Sequence, residues 1–220
     1  MKFEAFERIP KEKQESIIAA GMAEFAVKSY ADASTDRITE TCGISKGLLF
    51  HYFGSKKEFY LFCLSAALEK LIADDPAGGE EEIPADFYEI LFSYMDKKFS
   101  QCMKFRNEMH MVNMAARDSS AAITQGKARV MLKYRTAIAL TNEKIMNAAV
   151  AALPTGIDNR VLVQEGLLMY ISAVINKYLV IYREIPEEFF KKSEEIKAEF
   201  KEYIDLMLYG VISKESEEQD

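Results

Sequence analysis

The sequence has little of the chemistry that metal sites and disulfide frameworks require. Its 220 residues include no tryptophan, two histidines (His51 and His110) and three cysteines that lie far apart (Cys42, Cys63 and Cys102). Two histidines are too few for a histidine-rich metal site, and no Cys-x-x-Cys pair is present. An odd number of dispersed cysteines indicates reduced, partly buried thiols. We therefore expect no bound metal and no cofactor.

Long apolar runs are absent as well. The longest stretch without a charged residue is 145–157, which is 13 residues, whereas a membrane-spanning helix needs about 20. The N-terminal sequence MKFEAFERIP is charged and lacks the pattern of a secretory signal. No nucleophile–base spacing and no phosphate-binding loop is found, so the sequence does not indicate an enzyme. We expect a cytoplasmic protein without a membrane partner.

Apolar and polar residues seldom alternate as they do in β-strands, and apolar residues recur instead at helical spacing. A first helix is predicted over 10–28, because one stripe carries Ile17, Ile18, Gly21, Met22 and Phe25. The segment 74–84, rich in proline, glycine and acidic residues, predicts a break between helices. Further helices are predicted over 34–42, 45–52, 55 to about 71, 87–99, 105–116, about 118–153, 158–183 and 186 to about 212.

Serine and glycine residues divide the segment 34–58 into short helices. Three serines stand where helix N-caps are expected: Ser34, Ser45 and Ser55. Gly43 fits the left-handed end of the helix before it, and Glu58 completes a capping box with the last serine. Two short helices joined by a tight turn form a helix-turn-helix, whose second helix fits the major groove of DNA.

The distribution of charge is compatible with a nucleic-acid partner, although the net charge is −7. The first sixty residues hold nine basic and nine acidic residues, so the net negative charge lies in the remainder. Residues 41–57 contain three lysines and no acid. Because salt screens charges beyond about 8–10 Å, a phosphate responds mainly to this local basic face.

The run ISKGLLFHYFGSKKEFY resembles the DNA-reading segment of the TetR (tetracycline repressor) family of bacterial transcription regulators. The detailed resemblance covers about residues 10–65 and includes Glu24-Phe25-Ala26, Tyr30 and the helix start at 34–38. It implies an all-α protein, with a three-helix helix-turn-helix domain over 1–54 and a helical-bundle effector-binding and dimerisation domain over 55–213. Residues 214–220 (KESEEQD) would form an acidic disordered tail. The implied protein is a homodimer that binds double-stranded operator DNA.

The resemblance also implies which residues contact DNA, with phosphates and base edges met by the two short helices and by the next helix start. These residues are Ser34, Thr35, Arg37, Ser45, Lys46, Gly47, Leu48, His51, Tyr52 and Lys56. Taken singly, the serines are also ordinary caps, Tyr52 a half-buried core residue and His51 a surface histidine. Asp36 departs from the family, which often carries a basic residue nearby. Its carboxylate would either repel phosphate or stabilise the helix N-terminus.

Residues 84–183 are rich in methionine and aromatic residues, which indicates either a bundle core or an adaptable apolar pocket. The resemblance implies that some of them bind a small-molecule effector, which we expect to be apolar or aromatic. The candidates for this pocket are Phe92, Met95, Phe99, His110, Met114, Tyr134, Tyr170 and Asn176. The last two helices are apolar over too much of their surface to stand alone, and would pair as a four-helix dimer face. Its candidate residues are Leu167, Leu168, Ile171, Ile175, Leu206, Met207, Tyr209 and Val211.

Two functions fit this pattern. The family's usual mode predicts a repressor that a small-molecule effector releases from its operator, although an activator would use the same DNA-reading helix. The alternative is a helical ligand-binding or scaffold protein with weak or lost DNA binding, which Asp36 and the acidic total would fit.

Overall fold

The computed structural model of the chain describes residues 3–74, 84–153, 159–182, 188 and 191–210, which contain helices and no strand. None of the described helices is long and apolar enough to cross a membrane. The all-α fold with an N-terminal helix-turn-helix is therefore confirmed. In chain order the helices are α1 (Glu4–Glu7), α2 (Lys11–Val27), α3 (Thr35–Cys42), α4 (Lys46–Phe53), α5 (Lys56–Ala73), α6 (Phe87–Lys104), α7 (Arg106–Arg117), α8 (Thr124–Ala152), α9 (Arg160–Ile181) and α10 (Ser193–Tyr209).

The three predicted serine caps are confirmed. Ser34 Oγ accepts a hydrogen bond from the amide of Arg37 at 3.2 Å, and Ser45 Oγ accepts one from Leu48 at 3.1 Å. The hydroxyl of Ser55 does the same for the fourth residue of its box, Glu58, at 3.2 Å. Each cap satisfies an amide that the first turn of a helix leaves without a partner, and so fixes where the helix begins.

One predicted boundary needs correction. We expected the helix that reaches residue 153 to begin at about residue 118, with a cap from the run Asp118-Ser119-Ser120, but α8 begins at Thr124. The Asp118 carboxylate instead accepts hydrogen bonds from the amides of Tyr30, at 2.6 Å, and Ser120, at 2.8 Å. It thus ties the turn before α8 to the loop before α3. For the last helix, described residues form α10 from Ser193 to Tyr209; the predicted starts and ends at 154–158, 183–187 and 211–212 lie outside them.

The chain packs as two compact units. Unit 1 contains α1–α5, α7, the end of α6 from Ser100 and α8 up to Thr141. Unit 2 contains α6 up to Phe99, α8 from Asn142, α9 and α10. The division therefore falls within α6 and α8. The predicted domain boundary between residues 54 and 55 is drawn on a different basis, the end of the DNA-reading segment, and stays a prediction.

The core of unit 1 is aromatic and closely packed. Phe25 and Phe59 are fully buried, and the Phe25 ring lies edge-on to Tyr60 at 4.9 Å between centroids. A Cβ atom at Gly21 would lie 2.5 Å from Phe59 Cζ, so α2 and α5 approach this closely because the residue is glycine. The short helix α1 adds Phe6, whose ring is 4.7 Å from that of Phe53. This core fixes the frame on which α3 and α4 stand.

The core of unit 2 consists mainly of aliphatic side chains with a few stacked rings. Met146, Leu167 and Phe200 are fully buried there. Tyr170 stacks on Phe200, with 5.3 Å between ring centroids. The ammonium of Lys177 lies 2.6 Å from the carboxylate of Glu199, which joins α9 to α10. One face of α9 is buried in this core, and the opposite face is exposed to solvent.

Candidate DNA-binding interface

The turn between α3 and α4 is built for a fixed crossing of the two helices. Gly43 has φ +63°, a conformation that side chains with a Cβ rarely adopt. Its neighbour Ile44 donates its amide to the carbonyl of Thr39 at 3.0 Å, which closes α3 with a Schellman-type bond. Lys13 of α2 donates to the carbonyl of Cys42 at 2.7 Å. The end of α3 is thereby held to the helix behind it.

Buried and exposed residues alternate around α4 at helical spacing. Leu49 and Phe53, four residues apart, are buried, and hold α4 against unit 1. The first turn and outer face of α4 are open to solvent. Among the predicted DNA contacts Arg37, Ser45, Lys46, Gly47 and His51 are exposed, and Ser34, Leu48, Tyr52 and Lys56 are half-buried.

Gly47 has no packing reason to be glycine. A Cβ atom built there would meet one neighbour, Ser45 Oγ at 3.9 Å, which is an ordinary contact. Glycine inside a helix costs about 1 kcal/mol relative to alanine. The sequence alone left close helix packing and close approach to DNA as two explanations. Packing within the described part of the chain does not account for the residue, which favours approach from outside.

Tyr52 is held from one side by the core. Its ring lies 5.8 Å from that of Phe6 in an edge-on arrangement. The ring is half-buried, as the alternative interpretation of Tyr52 predicted. The hydroxyl has no hydrogen-bond partner in the described part of the chain. A tyrosine with a packed ring and an available hydroxyl is suited to donate to a phosphate.

Thr35 differs from the other predicted contacts. Its side chain is 8% exposed, and its carbonyl accepts a hydrogen bond from the Thr39 hydroxyl at 3.0 Å. Since the side chain lies inside the unit, a DNA contact from Thr35 depends on its backbone amide at the start of α3.

Each of the three cations among the predicted DNA contacts has a partner inside the protein. Arg37 lies 3.6 Å from the buried carboxylate of Glu24, and Lys46 lies 2.9 Å from the carboxylate of Asp36. Lys56 donates to the carbonyl of Ala31 at 3.2 Å.

The surroundings of these cations restrain them further. The ammonium of Lys56 lies 4.9 Å from the centre of the Tyr30 ring, and burial lowers its pKa although Asp32 and Glu24 act in the opposite direction. Glu24 also accepts a hydrogen bond from the amide of Ser34 at 2.9 Å. Our sequence analysis named this residue for its place in the motif and not as a functional residue. A carboxylate within the apolar stripe of α2 is the sequence signal that could have identified it. The interface is therefore preorganised by internal ion pairs.

The predicted effector residues are divided between the units. Phe92, Met95, Phe99 and Tyr170 lie in unit 2, whereas His110, Met114 and Tyr134 lie in unit 1; the side chain of Asn176 lies outside the described part. Met95 is 1% exposed and Phe99 is 5% exposed. Packing of these residues agrees with the bundle-core interpretation that the sequence left open.

Unit 1 contains a groove of about 200 Å³ between α5 and α8. The two helices pack closely at Gly126, where a Cβ atom would lie 2.5 Å from Leu61 Cδ1. The ion pair of Lys133 and Glu69, at 3.5 Å, joins the two helices at the groove. Of the predicted effector residues, Tyr134 lies in the lining, which comprises Ser65, Leu68, Glu69, Ile72, Arg129, Val130, Lys133 and Tyr134.

The predicted dimer residues are partly core and partly surface. Leu167 and Ile171 are buried in unit 2, and Leu168 packs against the same core. Leu206, Met207 and Tyr209 are exposed, whereas the Ile175 side chain and Val211 lie outside the described part. The sequence missed an exposed apolar stripe on α9 formed by Leu162, Met169 and Val180, which are 63%, 72% and 64% exposed. Their spacing places them on one helix face.

Residues 17–61, which include α3, α4 and the turn between them, match the model of the family described as bacterial regulatory proteins, tetR family. A search of curated proteins finds no match. Solved structures with the same fold include a TetR family regulator from Chloroflexus aurantiacus, 19% identical, covering 94% of this chain and 96% of that chain with a TM-score of 0.66. A TetR-like regulator from Rhodococcus sp. RHA1 is 19% identical, covering 92% of this chain and 100% of that chain with a TM-score of 0.61.

A third structure with this fold was solved with a bound molecule. It is the transcriptional regulator FadR from Bacillus subtilis in complex with stearoyl-CoA, 14% identical, covering 90% of this chain and 98% of that chain with a TM-score of 0.60. The family model that matches is one of bacterial regulatory proteins, and the match covers the helix-turn-helix. Residues 17–61 are thus similar to the tetR family, and the whole chain shares the fold of these TetR family structures.

Proposed function

We propose that the chain is a dimeric repressor that binds operator DNA through α3 and α4 and is released by a small-molecule effector. The observation that carries this proposal is the open first turn of α4. Gly47 is exposed without a packing reason, between an N-cap serine and a half-buried leucine. Amides at a helix N-terminus and the positive end of the helix dipole favour an approaching phosphate.

The proposed contacts divide by role. Lys46 is the candidate base-reading side chain, whereas the Tyr52 hydroxyl, the Ser45 hydroxyl and Lys56 would position the protein on phosphates. Few side chains at this surface can read bases. Part of the operator specificity is therefore expected to come from the shape of the DNA.

A second copy of the chain is the proposed partner of the α9 and α10 surface. The stripe of Leu162, Met169 and Val180, together with Leu206 and Met207 of α10, supplies an apolar face. Burial of such a face against its copy in a two-fold dimer removes it from water. Dimerisation would also present two recognition helices to half-sites about 34–36 Å apart.

The groove between α5 and α8 is the proposed effector site. Leu68, Ile72 and Val130 give it apolar walls, and Arg129 and Lys133 add positive charge. These properties suit an amphipathic anion, and the FadR relative was solved with one, stearoyl-CoA. An effector releases DNA only if it binds the DNA-free state more tightly than the DNA-bound state.

Binding to DNA is tested by fluorescence anisotropy with a labelled fragment from upstream of the chain's own gene and with a scrambled duplex, at several salt concentrations. We expect saturable binding that prefers the upstream fragment and weakens with salt. The double change Lys46→Ala, Tyr52→Phe should weaken binding about tenfold or more, whereas Lys144→Ala, at an exposed lysine of unit 2, should not. Unchanged affinity in the double variant would reject the assigned contacts. No binding by the unaltered chain would favour a ligand-binding protein without DNA binding.

Effector binding is tested separately by thermal unfolding with stearoyl-CoA and with coenzyme A alone. Stearoyl-CoA is expected to raise the unfolding midpoint, because a ligand that binds only the folded state stabilises it. Coenzyme A alone should have a smaller effect, since it cannot fill the apolar part of the groove. The change Arg129→Ala, Lys133→Ala should abolish the shift. An equal shift in that variant would place the ligand elsewhere.

A further inference from the structure

We propose that Asp36 and Lys46 form a single unit that reads a G·C base pair in the major groove. The inference rests on the proposed DNA-binding function and adds to it the base pair that is recognised. It also reverses the expected role of Asp36, because a residue that departs from the family pattern becomes a determinant of specificity.

The two side chains are joined although they stand on different helices. Asp36 is the second residue of α3, and Lys46 is the first residue of α4. The ammonium nitrogen of Lys46 lies 2.9 Å from each carboxylate oxygen of Asp36. The side chains are 73% and 49% exposed, respectively. An ion pair this exposed contributes little to stability, so stapling α3 to α4 does not account for it.

Each partner keeps hydrogen-bonding capacity that faces solvent. A lysine ammonium has three N–H donors, and a carboxylate has about four acceptor positions. The pair therefore presents a donor and an acceptor side by side, held at a fixed separation by their own ion pair. Gly47, the next residue, leaves room for DNA to approach this part of α4.

This pattern is complementary to the major-groove edge of a G·C pair. Guanine presents acceptors at O6 and N7, and cytosine presents the N4 amino donor beside them. Lys46 would donate to guanine while Asp36 accepts from cytosine, with the ion pair intact. An A·T pair instead places the adenine N6 donor between its two acceptors, adenine N7 and thymine O4. An ammonium that donates to two neighbouring acceptors, as at guanine N7 and O6, would meet that donor.

The same geometry disfavours other DNA. Away from a matching base pair, Asp36 repels phosphates and competes with them for Lys46. Removal of its charge is therefore expected to tighten binding to unrelated DNA, while recognition of the matching site becomes weaker. A repulsive element of this kind increases the difference in affinity between right and wrong partners.

The test selects bound duplexes from a pool with random central base pairs, using the full chain, Asp36→Asn and Glu40→Gln. Glu40 is an exposed acid on the same helix, without an ion pair in the described part, so Glu40→Gln removes the same charge. We expect the unaltered chain and Glu40→Gln to enrich a G·C pair at one position of each half-site. In Asp36→Asn this preference should fall about tenfold, with the rest of the motif retained. Binding of a scrambled duplex should tighten about threefold in Asp36→Asn relative to Glu40→Gln.

The possible failures are distinguishable. If the unaltered chain enriches no motif, the proposed DNA-binding function fails and the inference fails with it. If a motif is enriched but Asp36→Asn and Glu40→Gln behave alike, DNA binding stands and the inference is overturned. The variant Lys46→Met is a second test, since it should reduce the preference for a G·C pair at the same position. A change at another position would also overturn the pairing.

Discussion

The two units of this molecule differ in the chemical character of their exposed side chains and in whether those side chains have partners within the same unit. In unit 1 the cations that we propose to contact DNA already have internal partners, as Arg37 has in Glu24 and Lys46 in Asp36. In unit 2 the exposed feature is apolar, and Met169 is 72% exposed with no described residue of its own unit covering it. Charged groups held in place by internal ion pairs suit a transient interaction, whereas an uncovered apolar surface suits a permanent one.

The cores of the two units also differ in how fully they bury the helices that form them. Rings in unit 1 interlock around Phe25 and Phe59, and Gly21 permits the close approach of α2 and α5. Unit 2 packs one face of α9 into its core through Leu167 and Ile171, while the opposite face remains apolar. We infer that unit 1 reaches its fold by its own packing, and that unit 2 gains part of its stability from a second copy.

The largest expected effect is a loss of the aromatic core of unit 1. Phe25→Ala removes a fully buried ring that contacts Phe59 and Tyr60, which should lower the free energy of unfolding by about 3–5 kcal/mol. Urea unfolding followed by circular dichroism measures it. Val27→Ala, at a position 57% exposed on the same helix, should change stability by less than about 0.5 kcal/mol. Similar losses in both variants would mean that unit 1 is not held by this core.

The next largest effect concerns the uncovered surface of unit 2. Met169→Glu places a charge in the apolar stripe of α9, and should weaken self-association by about 2–4 kcal/mol because a charge would be buried without a partner. Sedimentation velocity over a range of concentrations measures the dimer. Leu132→Glu makes the same kind of change at a residue of unit 1 that is 65% exposed, and should leave the dimer intact. A dimer that persists in Met169→Glu would place the interface elsewhere.

A smaller effect, with opposite signs for stability and binding, is expected at Gly47. Since no atom in the described structure crowds a Cβ there, Gly47→Ala should stabilise the fold by up to about 1 kcal/mol. The added methyl group should weaken operator binding by about 1–2 kcal/mol if DNA contacts this backbone. Thermal unfolding and anisotropy on one sample measure both. Higher stability with unchanged DNA affinity would leave the glycine unexplained by DNA approach.

The parts of the fold that the sequence predicted well depend on residues close together in the chain. A cap joins residues three apart, as Ser45 and Leu48 are, and a left-handed turn depends on one residue, Gly43. These signals, together with helical periodicity, were sufficient for the helix-turn-helix and for the all-α fold. The family resemblance rests on the same local features.

Features that the sequence did not predict depend on how helices cross. The ion pair of Asp36 and Lys46 joins residues ten apart on two helices, and spacing within one helix carries no information about it. In α9 the apolar residues surround the whole helix, so periodicity could not tell the buried Leu167 from the exposed Met169. The sequence is ambiguous for the predicted effector residues too, since methionine and aromatic residues can form a core or line a pocket equally well.

The smallest expected effect tests the tie between the α7–α8 turn and the loop before α3. Burial alone would raise the pKa of Asp118, but hydrogen bonds from Ser120 and the Tyr30 amide, with the charge of Lys127, hold it below its ordinary value. The folded-state pKa is therefore lower than the unfolded one, so the carboxylate stabilises the fold above about pH 4 and loses this contribution as the pH falls through the folded value. Asp118→Asn should cost about 1 kcal/mol at neutral pH.

The pH dependence distinguishes the loss of this charge from a general loss of packing. As the pH falls through and below the folded pKa of Asp118, the stabilities of the unaltered protein and Asp118→Asn should converge, because Asp118 is then protonated in both the folded and unfolded states. Urea unfolding at a series of pH values measures the difference. Glu40→Gln, at an exposed acid, should run parallel to the unaltered protein. A difference between Asp118→Asn and the unaltered protein that is constant with pH would mean that the amide loses packing or geometry, and that the charge of Asp118 does not hold the loop.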